Sequence, residues 1–339
     1  MQGRVLVTGA GGFIGHHLVT ALRQAGYWVR GVDLKRPEFA PTQAEEFLLL
    51  DLREFENCRA AVEGIDEAYN LAADMGGIGY ISANHAGIAR NNVLINSHML
   101  EAARLAGVKR FLYSSSACIY PAYRQESADV TPLREEDAYP AMPEEGYGWE
   151  KLFSEKLCQY YFQDFGLETR VVRFHNVYGP FGSYQGGREK APAAICRKVA
   201  LAQDGDTIQV WGDGRQTRSF MYIDDCVEGL LRLMRSDHHE PLNLGTDRLV
   251  TIDELVDIVA GIAGKTLHKR HDLSQPQGVR GRNSDNSRLR AVLGWEPAIT
   301  LEGGLRATYS WIADQLAPVP VPVQVSRLYA EAAADDAGR

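Results

Sequence analysis

The chain has 339 residues, roughly two domains at about 150 each, with 45% hydrophobic and 24% charged residues, an ordinary globular balance that can fill a core. Thirty-six Lys and Arg against 44 Asp and Glu give a net charge of −8, which argues against a general nucleic-acid-binding surface and confines anion binding to local basic clusters. No stretch approaches the roughly 18 apolar residues of a membrane span, and five cysteines without a CxxC pair argue against a zinc ribbon or a disulfide framework.

In chain order, Val5-Leu6-Val7 reads as a buried strand that leaves no room for a signal peptide, so a cytoplasmic location with reduced thiols is expected. Ile14, Leu18 and Leu22 follow at helical spacing, and Gly26 closes that helix. Residues 27–33, 47–50 and 67–72 read as three further strands, 85–105 as a long helix and 108–114 as a fifth strand. Strands alternating with helices predict an α/β fold whose parallel sheet is covered on both faces, because each crossover packs back against it. Beyond about residue 175 the pattern loosens into turn signals such as Gly179-Pro180-Phe181-Gly182 and Trp211-Gly212-Asp213-Gly214, with amphipathic helices near 190–203, 224–235 and 251–263. Residues 316–339, with prolines at 318, 320 and 322, read as a flexible tail.

Thr8-Gly9-Ala10-Gly11-Gly12-Phe13-Ile14-Gly15 lies between the first strand and the first helix. Glycines there allow a sharp turn and let the backbone approach a pyrophosphate, while the helix N-terminus offers free N–H groups. A Gly-rich string alone also fits any tight turn. The strand before it, the helix after it and Asp33 ending the next strand point to a Rossmann-type doubly wound sheet that binds a dinucleotide. A carboxylate at Asp33 accepts hydrogen bonds from an adenosine ribose and repels a 2′-phosphate, so NAD is expected over NADP, although Lys35 and Arg36 lie close by. Asp51-Leu52, after the third strand, is placed to meet the adenine, or Asp51 is simply a helix cap. These features divide the chain into an NAD-binding domain over 1–175 and a mainly substrate-binding region over 176–315, with segments returning to the sheet near 220–250.

Tyr147 and Lys151 are four residues apart at the start of a helix and share one face. A tyrosine with a free pKa near 10 is a poor base at neutral pH, but an adjacent ammonium and a nicotinamide cation would stabilise its phenolate. Ser116, ending Ser114-Ser115-Ser116, can donate to the same substrate oxygen. The set implies hydride transfer between a carbinol and a nicotinamide.

The order of the Gly-rich loop, Leu71-Ala72-Ala73-Asp74, Ser114-Ser115-Ser116-Ala117-Cys118-Ile119-Tyr120-Pro121, Tyr147-Gly148-Trp149-Glu150-Lys151 and Arg173-Phe174-His175-Asn176-Val177-Tyr178-Gly179-Pro180 resembles the extended short-chain dehydrogenase/reductase family, whose members mostly act on nucleotide-linked sugars. Four more stretches are similar to its GDP-mannose 3,5-epimerase branch: Asp74-Met75-Gly76-Gly77, Gly187-Arg188-Glu189-Lys190-Ala191-Pro192, residues 211–220 and residues 278–285. The likeness runs from about residue 1 to 315. It implies a cofactor site of Gly9, Gly12, Phe13, Ile14, Gly15, Asp33, Asp51, Leu52, Leu71, Ala72, Tyr147 and Lys151.

Oxidising a sugar at C4 gives a ketone that acidifies the C–H bonds at C3 and C5, and inverting either centre needs two proton-transfer groups on opposite faces. The resemblance puts Cys118 and Lys190 in those roles. A thiol of pKa about 8.5 can supply some thiolate if cations lower it, and an amine near 10.4 is a ready acid. Taken alone, Cys118 would read as a small buried hydrophobe and Lys190 as a surface lysine. Substrate contacts are expected from Gly76, Gly77, Ser116, Cys118, Asn176, Glu189, Lys190, Ala191, Gln216 and Thr217. Lys198, Arg218 and Arg282 are expected to hold the diphosphate, and Arg197, Arg215 and Arg280 could exchange with them. His175 is open between packing and chemistry, and the histidines form no metal-like pattern. By analogy the chain is a homodimer that takes a GDP-sugar, with no nucleic acid, membrane or metal partner. Rival readings are a GDP-4-keto-6-deoxymannose epimerase-reductase, which would use a histidine and NADPH, and a nicotinamide-sensing protein without turnover. A 4,6-dehydratase would want an Asp-Glu pair where Ala117-Cys118 stands.

Overall fold

The computed structural model describes residues 2–317. Its first half alternates strand and helix: β1 (Arg4–Thr8), α1 (Phe13–Gln24), β2 (Trp28–Asp33), β3 (Glu46–Leu49), α2 (Phe55–Val62), β4 (Glu67–Asn70), α3 (Ile78–Ala83), α4 (His85–Leu105), β5 (Arg110–Ser116), α5 (Tyr147–Phe165) and β6 (Glu168–Phe174). The second half holds β7 (Asn176–Tyr178), α6 (Ala191–Leu201), β8 (Thr207–Trp211), β9 (Thr217–Arg218), β10 (Phe220–Tyr222), α7 (Ile223–Arg235), β11 (Leu242–Leu244), β12 (Val250–Thr251), α8 (Ile252–Ala263), β13 (His268–Asp272), β14 (Gly281–Arg282), α9 (Ser287–Leu293) and α10 (Leu301–Leu316).

Seven strands form one parallel sheet in the order β11-β6-β5-β4-β1-β2-β3. The strand order reverses between β1 and β4, so their carboxyl ends diverge and open a crevice, the place where doubly wound sheets bind ligands. One apolar core joins α1 and α7 to the sheet through Leu18, Leu22, Val7, Leu230 and Met234; the other joins α2, α4 and α5 through Cys58, Met99, Leu100 and Cys158. A third core, with Cys196, Val199, Leu255, Val259, Leu305 and Ile312, holds α6, α8 and α10 together beyond the sheet's carboxyl edge.

Two polar networks cross the cores and fix the helix that carries Tyr147 and Lys151. Arg173 on β6 holds Glu155 of α5 with two hydrogen bonds, of 2.9 and 2.8 Å, both side chains buried, and Ser115 of β5 donates to the same carboxylate. On the other side Thr8 donates to Asn70, Asn70 to Asn96, and Asn96 to Ser154, at 2.8, 3.0 and 3.2 Å. Asn92 donates to Glu150 at 2.8 Å. Each group is satisfied by another, so burial of these polar atoms adds rigidity rather than an orphaned charge.

The strands fall close to their expected positions, with one consequential shift. The fifth runs to Ser116 rather than Ser114, which puts the whole serine run on the strand and Cys118 just past its carboxyl end. Helix α10 carries no counterpart in the sequence reading, because Gly303-Gly304 dilute a face that Leu301, Leu305, Thr308 and Ile312 nevertheless bury. It reaches Leu316, so the expected tail does not begin there. The rest of that tail, from 318, lies outside the described residues. Among the described residues no helix is long and apolar enough to cross a membrane.

Candidate active site

The Gly-rich loop fills the β1/β4 crevice with backbone. A side chain at Gly11 would come within 2.1 Å of the Lys35 carbonyl oxygen, and one at Gly15 within 2.1 Å of that of Gly9, so the loop closes on α1 only with hydrogen at both places. Thr8 Oγ1 accepts from the backbone N–H groups of Leu71 and Ala72, both at 3.1 Å, and this clasps the two crevice strands together. Gly12 caps α1 without a side-chain partner, leaving the helix N-terminus free for an anion. Phe13 packs against His17, and Ile14 against the core. Asp33 accepts from Gly11 N at 3.0 Å and from Lys35 N at 3.2 Å, which aims its half-buried carboxylate across the loop. A cradle without side chains, a free helix end and a carboxylate at the tip of β2 fit NAD. Asp51 binds Arg53 through several hydrogen bonds and also receives the Arg53 backbone N–H; Leu52 beside it is buried in the core.

Tyr147 and Lys151 lie one turn apart at the start of α5. The ammonium donates to the Ser114 carbonyl at 2.9 Å and sits 5.5 Å from the Tyr147 ring centre. Ser116 faces the phenol and draws its pKa down, but burial, followed by the charges of Cys118 and Glu150, holds it well above the usual tyrosine value. Burial holds Lys151 below the usual lysine value. Within the protein alone, then, desolvation dominates, and a positive nicotinamide would be the charge that favours the phenolate.

Cys118 lies in a 3-10 turn over Ala117–Ile119, its backbone N–H capped by Ser116 Oγ at 3.2 Å. The half-buried sulfur receives Arg282 Nη1 at 3.6 Å. Arg282 pulls the thiol down, as the sequence anticipates of a nearby cation, but burial and the adjacent Glu144 outweigh it and the thiol is raised. Lys190 is the residue just before α6. It is exposed, yet desolvation by the protein around it lowers its ammonium pKa while the charge of Cys118 works against the shift. A side chain at Gly77 would meet the Glu189 carbonyl oxygen at 3.0 Å, so the loop at 76–77 borders the loop of Lys190. Glu189 itself accepts from Gly187 N at 2.7 Å and pairs with Arg197, and Ala191 opens α6.

Of the cations expected at the diphosphate, Arg218 and Arg282 stand side by side on paired strands β9 and β14. Arg282 turns its donors to Gln125, Glu144 and Cys118 and thus belongs to the thiol's surroundings. Arg218 hydrogen-bonds only carbonyl oxygens, of Thr217 and Gln277, among the described residues; burial and Arg282 push it down to about 10. A half-buried guanidinium beside another, with no ion pair of its own among the described residues, suits an anion. Lys198 donates to the Gln209 carbonyl at 2.7 Å, Arg280 pairs with Asp213 and Arg215 is exposed. Gln216 leaves a buried Oε1 unpartnered, while Thr217 donates to the Ala128 carbonyl and Asn176 to that of Ser219. His175 packs under Tyr120, with Asn243 3.4 Å from Nε2. Glu144 and Gln125, which shape the thiol's environment, carry no motif and only the fold brings them in.

The family model described as "NAD dependent epimerase/dehydratase family" matches residues 5–245. The chain is 50% identical over 315 residues to GDP-mannose 3,5-epimerase of Arabidopsis thaliana, covering 92% of this chain and 83% of the relative. It is equally identical to GDP-mannose 3,5-epimerase 1 of Oryza sativa subsp. japonica, with 92% and 82% covered. GDP-L-fucose synthase of Escherichia coli (strain K12) is 30% identical over 92% of this chain and 97% of its own length. The crystal structure of UDP-glucose 4-epimerase from Thermotoga maritima aligns with a TM-score of 0.82 at 27% identity, over 93% of this chain and all of that one.

Proposed function

The chain belongs to the NAD dependent epimerase/dehydratase family, and from that premise we propose that it inverts C3 and C5 of the sugar of GDP-mannose to give GDP-L-galactose, and GDP-L-gulose when C5 alone inverts. The observation that supports this reading is that two pairs neighbour each other: Lys151 stands 5.5 Å from the Tyr147 ring, for a carbinol, and Cys118, packed against Tyr147, is near enough for its charge to act on Lys190, for protons on carbon. Half-identity to two plant GDP-mannose 3,5-epimerases over nine-tenths of the chain supports it, and the likeness to GDP-L-fucose synthase is weaker.

NAD would be held by Gly9, Gly12, Gly15 and Asp33 and, when bound, would supply reversible hydride acceptance at C4. Tyr147 accepts the proton of the C4 hydroxyl, with Ser116 donating to that oxygen and Lys151 fixed by Ser114. The resulting ketone acidifies C3 and C5. Cys118 and Lys190 remove a proton from one face of the ring and return one to the other, so each inversion is neutral in protons. Tyr147 then returns its proton as the C4 hydroxyl re-forms. Arg218 and Lys198 hold the diphosphate, and Gly76, Gly77, Asn176, Glu189, Ala191, Gln216, Thr217 and Arg282 line the sugar and nucleotide site.

In this reading residues 1–175 serve mainly the cofactor and 176–315 mainly the substrate. Exposed Trp149, Phe153 and Tyr160 on α5 support a homodimer built on helices of the sheet's flank, and five unpaired cysteines suit the reducing cytoplasm. The test is turnover of GDP-mannose in heavy water. Deuterium should enter at C3 and C5 and not at C4; product without label, or no product, rejects the proposal.

A further inference from the structure

The Arg282 guanidinium directs three donors at three different acceptors. Nε donates to Gln125 Oε1 at 2.5 Å, Nη2 to Glu144 Oε1 at 2.5 Å, and Nη1 to Cys118 Sγ at 3.6 Å. Gln125 is itself pinned, its amide donating to the Tyr120 and Pro121 carbonyl oxygens at 3.1 and 3.2 Å. Glu144 is held by its backbone, whose N–H donates to the Cys118 carbonyl at 2.9 Å. A planar fork fastened at two corners has no freedom left at the third, so the N–H facing the sulfur is aimed by Gln125 and by Glu144, whose carboxylate also accepts from the thiol itself.

The same arrangement sets charge as well as direction. Burial works to raise the Glu144 carboxyl, but Arg282 outweighs it and keeps the group ionised. Glu144 therefore offsets most of the positive charge that Arg282 brings to the thiol. The other charged or titratable groups around Cys118 are Arg218 from β9, Tyr147 and Lys151 from α5, and Lys190 before α6. Of all of these, Glu144 is the carboxylate.

Building on the reading of Cys118 as an acid/base group, we infer that Glu144 is a positioning residue, clamping Arg282 with Gln125 so that the guanidinium orients the thiol while its charge is neutralised and Cys118 rests protonated, giving its proton to one face of the carbon while the free amine of Lys190 takes one from the other. Without the carboxylate, Arg282 would draw the thiol down against burial and toward starting each cycle as a base. The carboxylate thus decides which of the two proton-transfer groups begins as the base.

The test is the pH dependence of iodoacetamide alkylation of the full-length enzyme, with Cys118→Ala as the blank, because the remaining four cysteines are buried. Glu144→Gln keeps an acceptor for Nη2 but removes the charge. Its alkylation below the midpoint should be about tenfold faster than the parent's, with the midpoint displaced to lower pH, since an opposite charge within a few ångströms moves a titration by about a unit or more. A profile that stays put or moves to higher pH overturns the proposal. Glu144→Asp draws the same charge back by one methylene and takes over the test if the amide variant does not fold; its midpoint must also fall. Alkylation requires no sugar, so a shifted profile in an enzyme that takes up no label from heavy water would reject GDP-mannose as substrate and leave the clamp standing.

Discussion

Gly148 of α5 lies so close to Cys118 that a Cβ there would come within 2.4 Å of the Cys118 carbonyl oxygen. The helix bearing Tyr147 and Lys151 and the turn bearing the thiol are therefore in backbone contact, and their spacing depends on a single hydrogen atom. The substitution Gly148→Ala should force the two apart, because overpacking a closed contact costs about 1–3 kcal/mol. We expect a lower midpoint in thermal unfolding and, at temperatures where the variant is folded, a loss of turnover of about tenfold or more, since small displacements of reacting groups are costly. Full activity with an unchanged melting midpoint would show that the contact is not needed.

The two pairs of site residues should fail at different stages. In the proposed mechanism Tyr147→Phe removes the group that accepts the C4 hydroxyl proton, so no ketone should form and C3 and C5 should stay inert. General acid–base groups contribute about 10²–10⁴-fold, and that is the expected loss both of nicotinamide reduction and of deuterium uptake. Cys118→Ala leaves oxidation at C4 intact, so reduced nicotinamide should still form on adding GDP-mannose while epimerised product falls by a similar factor. The check is absorbance of the reduced cofactor alongside mass spectrometry of the sugar. Label uptake in Tyr147→Phe equal to the parent's would contradict a ketone made at C4.

Much of this site was legible because its chemistry is local in sequence. The Gly-rich loop, Asp33 and the pair Tyr147 and Lys151 each announce themselves by spacing on a known element, and strand–helix alternation predicts the parallel sheet that carries them. Arg282 was legible as a cation but not as the thiol's neighbour. Its partner Glu144 is 138 residues away in sequence, and the pairing of β9 with β14 brings Arg282 to Cys118. Glu144 sits in an acidic surface-like stretch with Glu145, and nothing in composition separates the one that reaches Arg282. The raised thiol of Cys118 has the same origin, since burial depends on the whole fold and not on the residues beside it.

Cofactor choice should rest on Asp33. Its carboxylate takes the N–H groups of Gly11 and Lys35, which places negative charge at the tip of β2 with Lys35 and Arg36 just beyond. Bringing like charges together costs up to several kcal/mol. Asp33→Ser should accordingly raise the ratio of NADP to NAD affinity by about tenfold or more, read as dissociation constants from quenching of protein fluorescence. An unchanged ratio would move the discrimination elsewhere in the loop.

Stability should carry a histidine's signature on the acid side of neutrality. Burial, followed by the charge of Arg282, pushes His175 down from 6.5 to about 3. The unfolded chain therefore takes up this proton at a higher pH than the folded one. The sign follows: His175's contribution is fully present above about 6.5 and is lost progressively as pH falls toward about 3. Between pH 7 and about 5.5 this one group should lower the unfolding free energy by about 1 kcal/mol. Urea unfolding of the parent and of His175→Gln at both pH values isolates it, since the glutamine cannot titrate and other groups cancel in the difference. The variant should start less stable, having lost a packed ring beside Tyr120, and yet lose less on acidification. If both proteins weaken equally between the two pH values, His175 is not held neutral in the fold.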